Sequence, residues 1–279
     1  MHYNLEFGGG LGDVLDQCYH KGAYGVLDRL RPEDTATVHL VTHNPFAREL
    51  FLHHPKATQI TVLDHGYWQP GNDHGERLAR KMPPAGMNAK LPTGPEVVTF
   101  YPNPESSALL DSWIGKPYVV LSAGAGTADR SIPGLVLRRI VAEWSDLSTV
   151  PLVAVGRNYE RTERTSEPFV DHQQVAQLVD QLDVPGVCKL IQHSAGLITC
   201  HSSMSILAWR LRLPNLLVYP KAVWEKHAPQ GNPDHWMRGA RYHETVHSSV
   251  GELTHQHLTK FLDLAVERCL TITPRTTTD

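Results

Sequence analysis

The stretch Val187–Pro220 constrains this chain more than any other. A helical pattern ends near His193, and Gly196–Thr199 is then a short, mainly apolar run of the length of a buried strand. The tight turn Cys200-His201-Ser202-Ser203 follows at once. Met204, Leu207, Ala208 and Leu211 next recur at helical spacing, Pro214 breaks the pattern, and Leu216–Tyr219 reads as another strand. A strand, turn, helix and strand in this order is the repeating unit of a parallel α/β sheet. The turn opens a helix at the carboxyl end of a strand, where free N–H groups and the positive end of the helix dipole favour phosphates. Ser202 and Ser203 also suit plain N-capping, and one turn can do both.

The rest of the chain repeats this alternation. Tyr3–Phe7 reads as a first strand running into Gly8-Gly9-Gly10-Leu11-Gly12-Asp13, with a helix from near Gly12 toward Leu30. Those glycines let backbone approach a ligand or turn sharply, although their register is not that of a dinucleotide fingerprint. Strands are expected at Thr37–Thr42, Gln59–Leu63 and Val97–Tyr101, and helices at Pro45–His53 and Ser106–Ile114. Asp64–Pro95, rich in Gly, Pro and His, reads as irregular. After Gly115-Lys116-Pro117 a second βα series begins: strand Tyr118–Ser122, a small-residue loop, helix Pro133–Trp144, strand Val150–Gly156 and helix Val170–Leu182. Lys221–Tyr242 reads as loop and Val250–Cys269 as the last helix. The expected organisation is an N-terminal domain over 1–115, a C-terminal domain over 116–270 and a flexible tail over 271–279, each domain a Rossmann-like βαβ array.

Composition narrows the function classes. With 279 residues, 41% hydrophobic and 20% charged, the chain suits two modest globular α/β domains. A net charge of -3 advertises no broad basic surface for nucleic acid. Its four cysteines, Cys18, Cys188, Cys200 and Cys269, form no CxxC pair, as expected of a reduced, cytoplasmic protein. Neither a signal peptide nor an apolar run of the roughly 20 residues needed to span a bilayer is visible, so any membrane-surface acceptor is approached peripherally.

Three segments resemble one family, in the same order. Gly12-Asp13-Val14-Leu15 after a first strand, Val119-Val120-Leu121-Ser122-Ala123-Gly124-Ala125-Gly126 before a basic residue and a Pro-led helix, and Leu190–Tyr219 resemble the ADP-heptose:lipopolysaccharide heptosyltransferases, glycosyltransferase family 9. The chain departs from the family in three places: His201 stands where aspartate is usual, Ser203 replaces a glycine and Ile206 replaces a histidine. The resemblance implies a GT-B fold, two Rossmann-like domains with mainly parallel sheets facing across a cleft. It also implies a nucleotide-sugar donor on the C-terminal domain, an acceptor on the N-terminal domain, and inverting transfer without metal or other cofactor.

Inverting transfer needs a base for the acceptor hydroxyl, and the matching position is Asp13; an aspartate there also favours a helix N-terminus through the dipole. The acceptor side would use Gly9, Gly10 and Gly12. The leaving diphosphate gains charge in the transition state, so donors aimed at it accelerate the reaction. Candidates are Ser202, Ser203 and Ser205, the loop Gly124, Ala125, Gly126 and Thr127, and Arg130, which could also be a solvated loop charge. Gly156 and Arg157 follow a strand and either approach the nucleoside or form an ordinary turn.

A rival signal is His243-Glu244-Thr245-Val246-His247, a literal H-E-x-x-H with Glu267 downstream as a third ligand. On a helix it would make a zinc metallohydrolase. Its β-branched residues and the flanking Gly239 and Ser248-Ser249 read as strand or loop, so no metal site is expected. The acceptor is either a lipopolysaccharide-type glycan or a hydroxymethylated base in DNA, with Lys221, Lys226, Arg238 and Arg241 available for a backbone groove. A non-catalytic nucleotide-sugar-binding protein is the third class.

Overall fold

The computed structural model describes residues 2–8, 10–12, 14–15, 27, 30–42, 44–63, 99–125, 130–157, 172–219, 245–249 and 251–272. The chain divides into two compact units, Met1–Glu105 with Asp183–Lys189, and Ser106–Leu182 with Leu190–Asp279. The division therefore falls ahead of Gly115, and a short later segment joins the first unit.

The first unit holds a three-stranded parallel sheet of β1 (His2–Gly8), β2 (Thr35–Val41) and β3 (Ala57–Leu63), in that spatial order. Right-handed crossovers that step the same way put both connections on one face. Leu5, Phe7, Val38 and Leu40 on that face are buried, as are Val14, Leu15, Leu27 and Leu30 from the first connection. The second connection is a 3-10 turn, Pro45–Arg48, capped by Asn44 Oδ1 on Phe46 N at 2.9 Å, and then α1 (Glu49–Leu52). Its Phe51 lies 5.2 Å from Phe7, ring centre to ring centre.

The other face of this sheet is polar. His2 reaches Thr35 Oγ1 and Thr37 Oγ1, both at 2.9 Å, and His39 lies beside Asn4 at 3.4 Å. Most parallel sheets are apolar on both faces; here H-Y-N-L-E-F and T-A-T-V-H-L alternate instead.

The second unit holds six parallel strands: β4 (Val119–Ser122), β5 (Leu152–Ala154), β6 (Val175–Gln177), β7 (Gly196–Thr199), β8 (Asn215–Tyr219) and β9 (Thr245–Ser249). Their spatial order is β6-β5-β4-β7-β8-β9. Counted within this unit the order is 3-2-1-4-5-6, that of dinucleotide-binding sheets. Every residue of β4, β5, β7 and β8 is buried, as expected of strands covered on both faces.

Helices α2 (Pro104–Leu110), α3 (Gly134–Leu147), α4 (Val184–Gln192), α5 (Ser203–Arg210) and α6 (His255–Ile272) complete the described elements. Extended Pro133 starts α3, and Leu137, Ile140, Val141 and Trp144 form its buried stripe. Trp144 donates to Val150 O at 2.8 Å and packs 5.9 Å from Phe261 of α6. Full burial of such side chains contributes about 1.5–3 kcal/mol each. Asp183 caps α4 through Gly186 N at 2.9 Å and also accepts from Asn103 N at 2.8 Å; Glu49 Oε2 accepts from Val184 N at 2.8 Å. Burial, with the Asp183 charge second, pushes the Cys188 thiol on α4 far above its usual pKa, so it is a packing residue rather than a nucleophile.

Gly196 opens β7 beneath α6. A Cβ there would lie 2.8 Å from Phe261 Cζ and 3.1 Å from Pro214 O. Gly196→Ala should therefore cost about 1–3 kcal/mol through overpacking. A thermal melt should show a loss of several °C, and an unchanged midpoint would refute this packing account.

Three expected elements are corrected. Val175, Leu178, Val179 and Leu182 have helical spacing, yet 175–177 form β6 and a turn follows, with Asp180 at φ 60°. Pairing with β5 decides this segment over its local periodicity: Leu178 N donates to Ala154 O at 2.9 Å and Asp180 N to Gly156 O at 3.0 Å. The run Val97–Tyr101 is not strand over 99–101. There Phe100 is buried and the Tyr101 ring packs edge-on against His54 at 4.7 Å; Val97 and Val98 lie outside the described residues. The last helix begins at His255 rather than Val250 and continues through Thr271 and Ile272.

Candidate functional site

The carboxyl ends of β4 and β7 form the point where the second sheet reverses its order. In open α/β sheets, ligands bind in the crevice outside the strand ends at such a switch point. Ser122 and Thr199 are the last paired residues of the two strands. Beyond them the chains part, one into the loop from Ala123, the other into the turn that starts α5.

The loop after β4 closes on itself. Ile132 N donates to Ala123 O at 2.9 Å, and Ala125 N donates to Ser131 Oγ at 3.0 Å. With the Ala123 carbonyl turned toward Ile132, a trans peptide sends Gly124 N–H the opposite way. That N–H has no hydrogen-bond partner among the described residues. Arg130 sits half-buried in the same loop, while Gly126 and Thr127 lie outside the described residues.

The turn after β7 is a capping box. Ser202 Oγ accepts from Met204 N at 3.3 Å. Ser205 Oγ accepts from Ser202 N at 3.3 Å and donates to Ser202 O at 2.7 Å. Ser205 is 1% exposed and its hydroxyl is fully engaged in holding the turn. Ser203 differs: it is half-buried, and among the described residues neither its N–H nor its hydroxyl has a partner. Ser203 N–H, Ser203 Oγ and Gly124 N–H are thus donors left over on adjoining segments, at the positive end of α5.

The two segments are tied together. Thr199 Oγ1 donates to Ser122 O at 2.9 Å, and Cys200 Sγ donates to Gly124 O at 3.3 Å. His201 stacks on Tyr219, at the end of β8, with ring centres 6.1 Å apart. Nothing in the residue types singles out Thr199 and Cys200 before the sheet order is known. On the far side of β4, Gly156 and Arg157 follow β5, with Gly156 at φ 152°. Gly124, Ala125, Arg130, Gly156, Arg157, Ser202, Ser203 and Ser205 therefore all lie at the carboxyl edge of one sheet.

In the first unit, Gly10 and Gly12 follow β1 in a helical turn, with Val14 N donating to Gly10 O at 3.0 Å. Gly9 and Asp13 lie outside the described residues. Of the H-E-x-x-H segment, Thr245, Val246 and His247 lie in β9, where His247 pairs with Leu217. Zinc binding by this motif needs two histidines one helical turn apart, and β9 is extended. His243 and Glu244 lie outside the described residues, and no group of three or more potential metal ligands occurs among those described.

No protein-family model matches the chain, and none of the curated proteins matches its sequence. Solved structures do match. The E. coli ADP-heptose lipopolysaccharide heptosyltransferase II superposes with a TM-score of 0.57 at 13% identity, covering 96% of this chain and 99% of that one. E. coli heptosyltransferase WaaC, solved with ADP, gives 0.56 at 13% identity over 97% and 100%. A glycosyl transferase family 9 structure from Veillonella parvula gives 0.55 at 10% identity over 95% and 97%.

The chain has the GT-B fold. A GT-B likeness at these identities fixes architecture and leaves chemistry to the residues, since one fold hosts many activities. Within this GT-B chain the switch-point crevice of the second unit is the best-formed candidate site among the described residues.

Proposed function

We propose that this chain is a glycosyltransferase that moves a sugar from a nucleotide-diphosphate sugar to an acceptor hydroxyl. The observation that carries the reading is the pair of donors without a partner among the described residues, Gly124 N–H and Ser203 N–H, at the switch point of a 3-2-1-4-5-6 sheet. Backbone N–H groups at a helix start favour the charge that a leaving diphosphate gains as the anomeric C–O bond breaks. Gly126, Thr127, Arg130, Gly156, Arg157 and Ser202 complete the proposed donor side, with Ser205 holding the turn.

The proposed step is inverting and needs no metal. The acceptor oxygen attacks the anomeric carbon, its proton passes to the Asp13 carboxylate, and the bond to the diphosphate oxygen breaks, releasing the nucleoside diphosphate. Gly9, Gly10 and Gly12 are the proposed acceptor side. We read the acceptor as a lipopolysaccharide-type glycan, with a hydroxymethylated DNA base as the competing substrate, and the reaction as cytoplasmic. No described helix is long and apolar enough to cross a membrane. The strand conformation of β9 favours this reading over a zinc hydrolase.

The test is calorimetric titration with ADP and UDP, followed by transfer assays from the matching sugar nucleotides to core oligosaccharides and hydroxymethylated DNA. Saturable binding of one nucleotide and transfer from its sugar are expected. No binding to any nucleoside diphosphate, together with a full equivalent of zinc that is lost in His247→Ala, would reverse the assignment in favour of the hydrolase.

A further inference from the structure

We infer that Thr199 is a positioning residue that sets the spacing of the two walls of the phosphate crevice. The inference rests on the donor reading above and adds the element that organises it. At a switch point the connections leave the sheet on opposite faces, so the main-chain ladder ends at Ser122 and Thr199. Past that pair, the described main-chain hydrogen bonds do not join the β4 loop to the start of α5. Side chains must do so.

Thr199 is fully buried. Its Oγ1 lies 2.9 Å from Ser122 O, 3.2 Å from Cys200 O and 3.4 Å from Ser202 Oγ. A hydroxyl has one proton and two lone pairs. With the proton on Ser122 O, the shortest contact, a lone pair of Thr199 faces Ser202. Ser202 Oγ already accepts from Met204 N, so its own proton is the one available to Thr199. The chain Ser202→Thr199→Ser122 thus links the cap of α5 to the end of β4 through one hydroxyl. Cys200 adds a second tie, to Gly124 O at 3.3 Å. The two leftover donors, on Gly124 and Ser203, are held at one separation before any ligand arrives. Such preorganisation removes an ordering cost from binding.

Valine matches threonine in shape and cannot make either bond. Thr199→Val is expected to weaken ADP binding about tenfold, as loss of one or two buried hydrogen bonds implies. Thr199→Ser restores the hydroxyl and should return affinity to within about threefold of wild type. Affinities are taken well below each variant's melting point, so a general loss of stability does not move them. A second readout needs no ligand: amide exchange of the peptides containing Gly124 and Ser203 should quicken in Thr199→Val and return in Thr199→Ser. Should Thr199→Val not fold, Cys200→Ala against Cys200→Ser gives the same comparison at the second tie, with a smaller loss.

Equal ADP affinity in wild type and Thr199→Val overturns the inference, and so does a Thr199→Ser variant as weak as the valine. If the wild type binds no nucleotide, the donor reading falls, and unchanged exchange at Gly124 and Ser203 then decides separately against Thr199.

Discussion

Ser203→Glu is expected to abolish nucleoside diphosphate binding while the protein stays folded. Position 203 is the first residue of α5, half-buried and without a partner for its N–H or hydroxyl among the described residues. The cap itself is made by Ser202 and Ser205, so the exchange leaves the turn intact. A carboxylate in the first turn of a helix interacts favourably with the dipole, by about 0.3–1 kcal/mol at exposed sites. The same carboxylate brings a negative charge to where the diphosphate is proposed to sit. Calorimetry should show affinity reduced at least 100-fold, on the order of 3 kcal/mol, with an unaltered circular dichroism spectrum. Ser203→Ala, which keeps the backbone N–H, should cost far less. Unchanged affinity of the glutamate variant for every nucleotide tried would remove α5 from the donor site.

Asp13→Asn should lower turnover by about 10²–10⁴, the usual worth of acid–base assistance. Asparagine keeps the shape of aspartate and still accepts a hydrogen bond, yet it cannot take a proton from the acceptor hydroxyl. In sequence Asp13 comes five residues after the end of β1 at Gly8 and immediately before Val14, whose N–H meets Gly10 O. In open α/β sheets, the segments that follow the carboxyl ends of the strands are where ligands bind. Donor affinity should stay near wild type, because the proposed diphosphate contacts belong to the other unit. Single-turnover rates with the identified acceptor make the measurement. A variant that turns over at the wild-type rate would show that the base lies elsewhere.

Much of the second unit was legible in the sequence because its strands are short apolar runs next to small-residue turns. Gly196–Thr199, Ser202, α5 and β8 follow from local chemistry alone: a buried strand, a serine cap, a helical stripe and a proline stop. The segment Val175–Leu182 was not legible, because its apolar spacing fits a helix and only the bonds to β5 reveal an edge strand. Parallel pairing in the first sheet follows from its βα alternation, and its polar face shows as alternation in β1 and β2. For the candidate site, residue types predicted the serine turn and the glycine loop. They could not distinguish Ser205, whose hydroxyl bonds to Ser202, from Ser203, whose hydroxyl has no partner among the described residues. That distinction depends on burial and hydrogen-bond direction. The roles of Thr199 and Cys200 depend on strand order, which a single sequence leaves open.

The first unit includes Asp183–Lys189, a segment made long after Glu105. Two of its hydrogen bonds come from there: Asn103 N to Asp183 Oδ2 and Val184 N to Glu49 Oε2, both 2.8 Å. During synthesis the N-terminal sheet therefore leaves the ribosome without these contacts and waits for them while β4, β5 and β6 of the next sheet are being translated. At ordinary elongation rates that interval is on the order of 10 s. A gene fragment ending at the apparent boundary near Gly115 encodes an unfinished unit. Domain exchange between this chain and a relative must carry Asp183–Lys189 along with the N-terminal part.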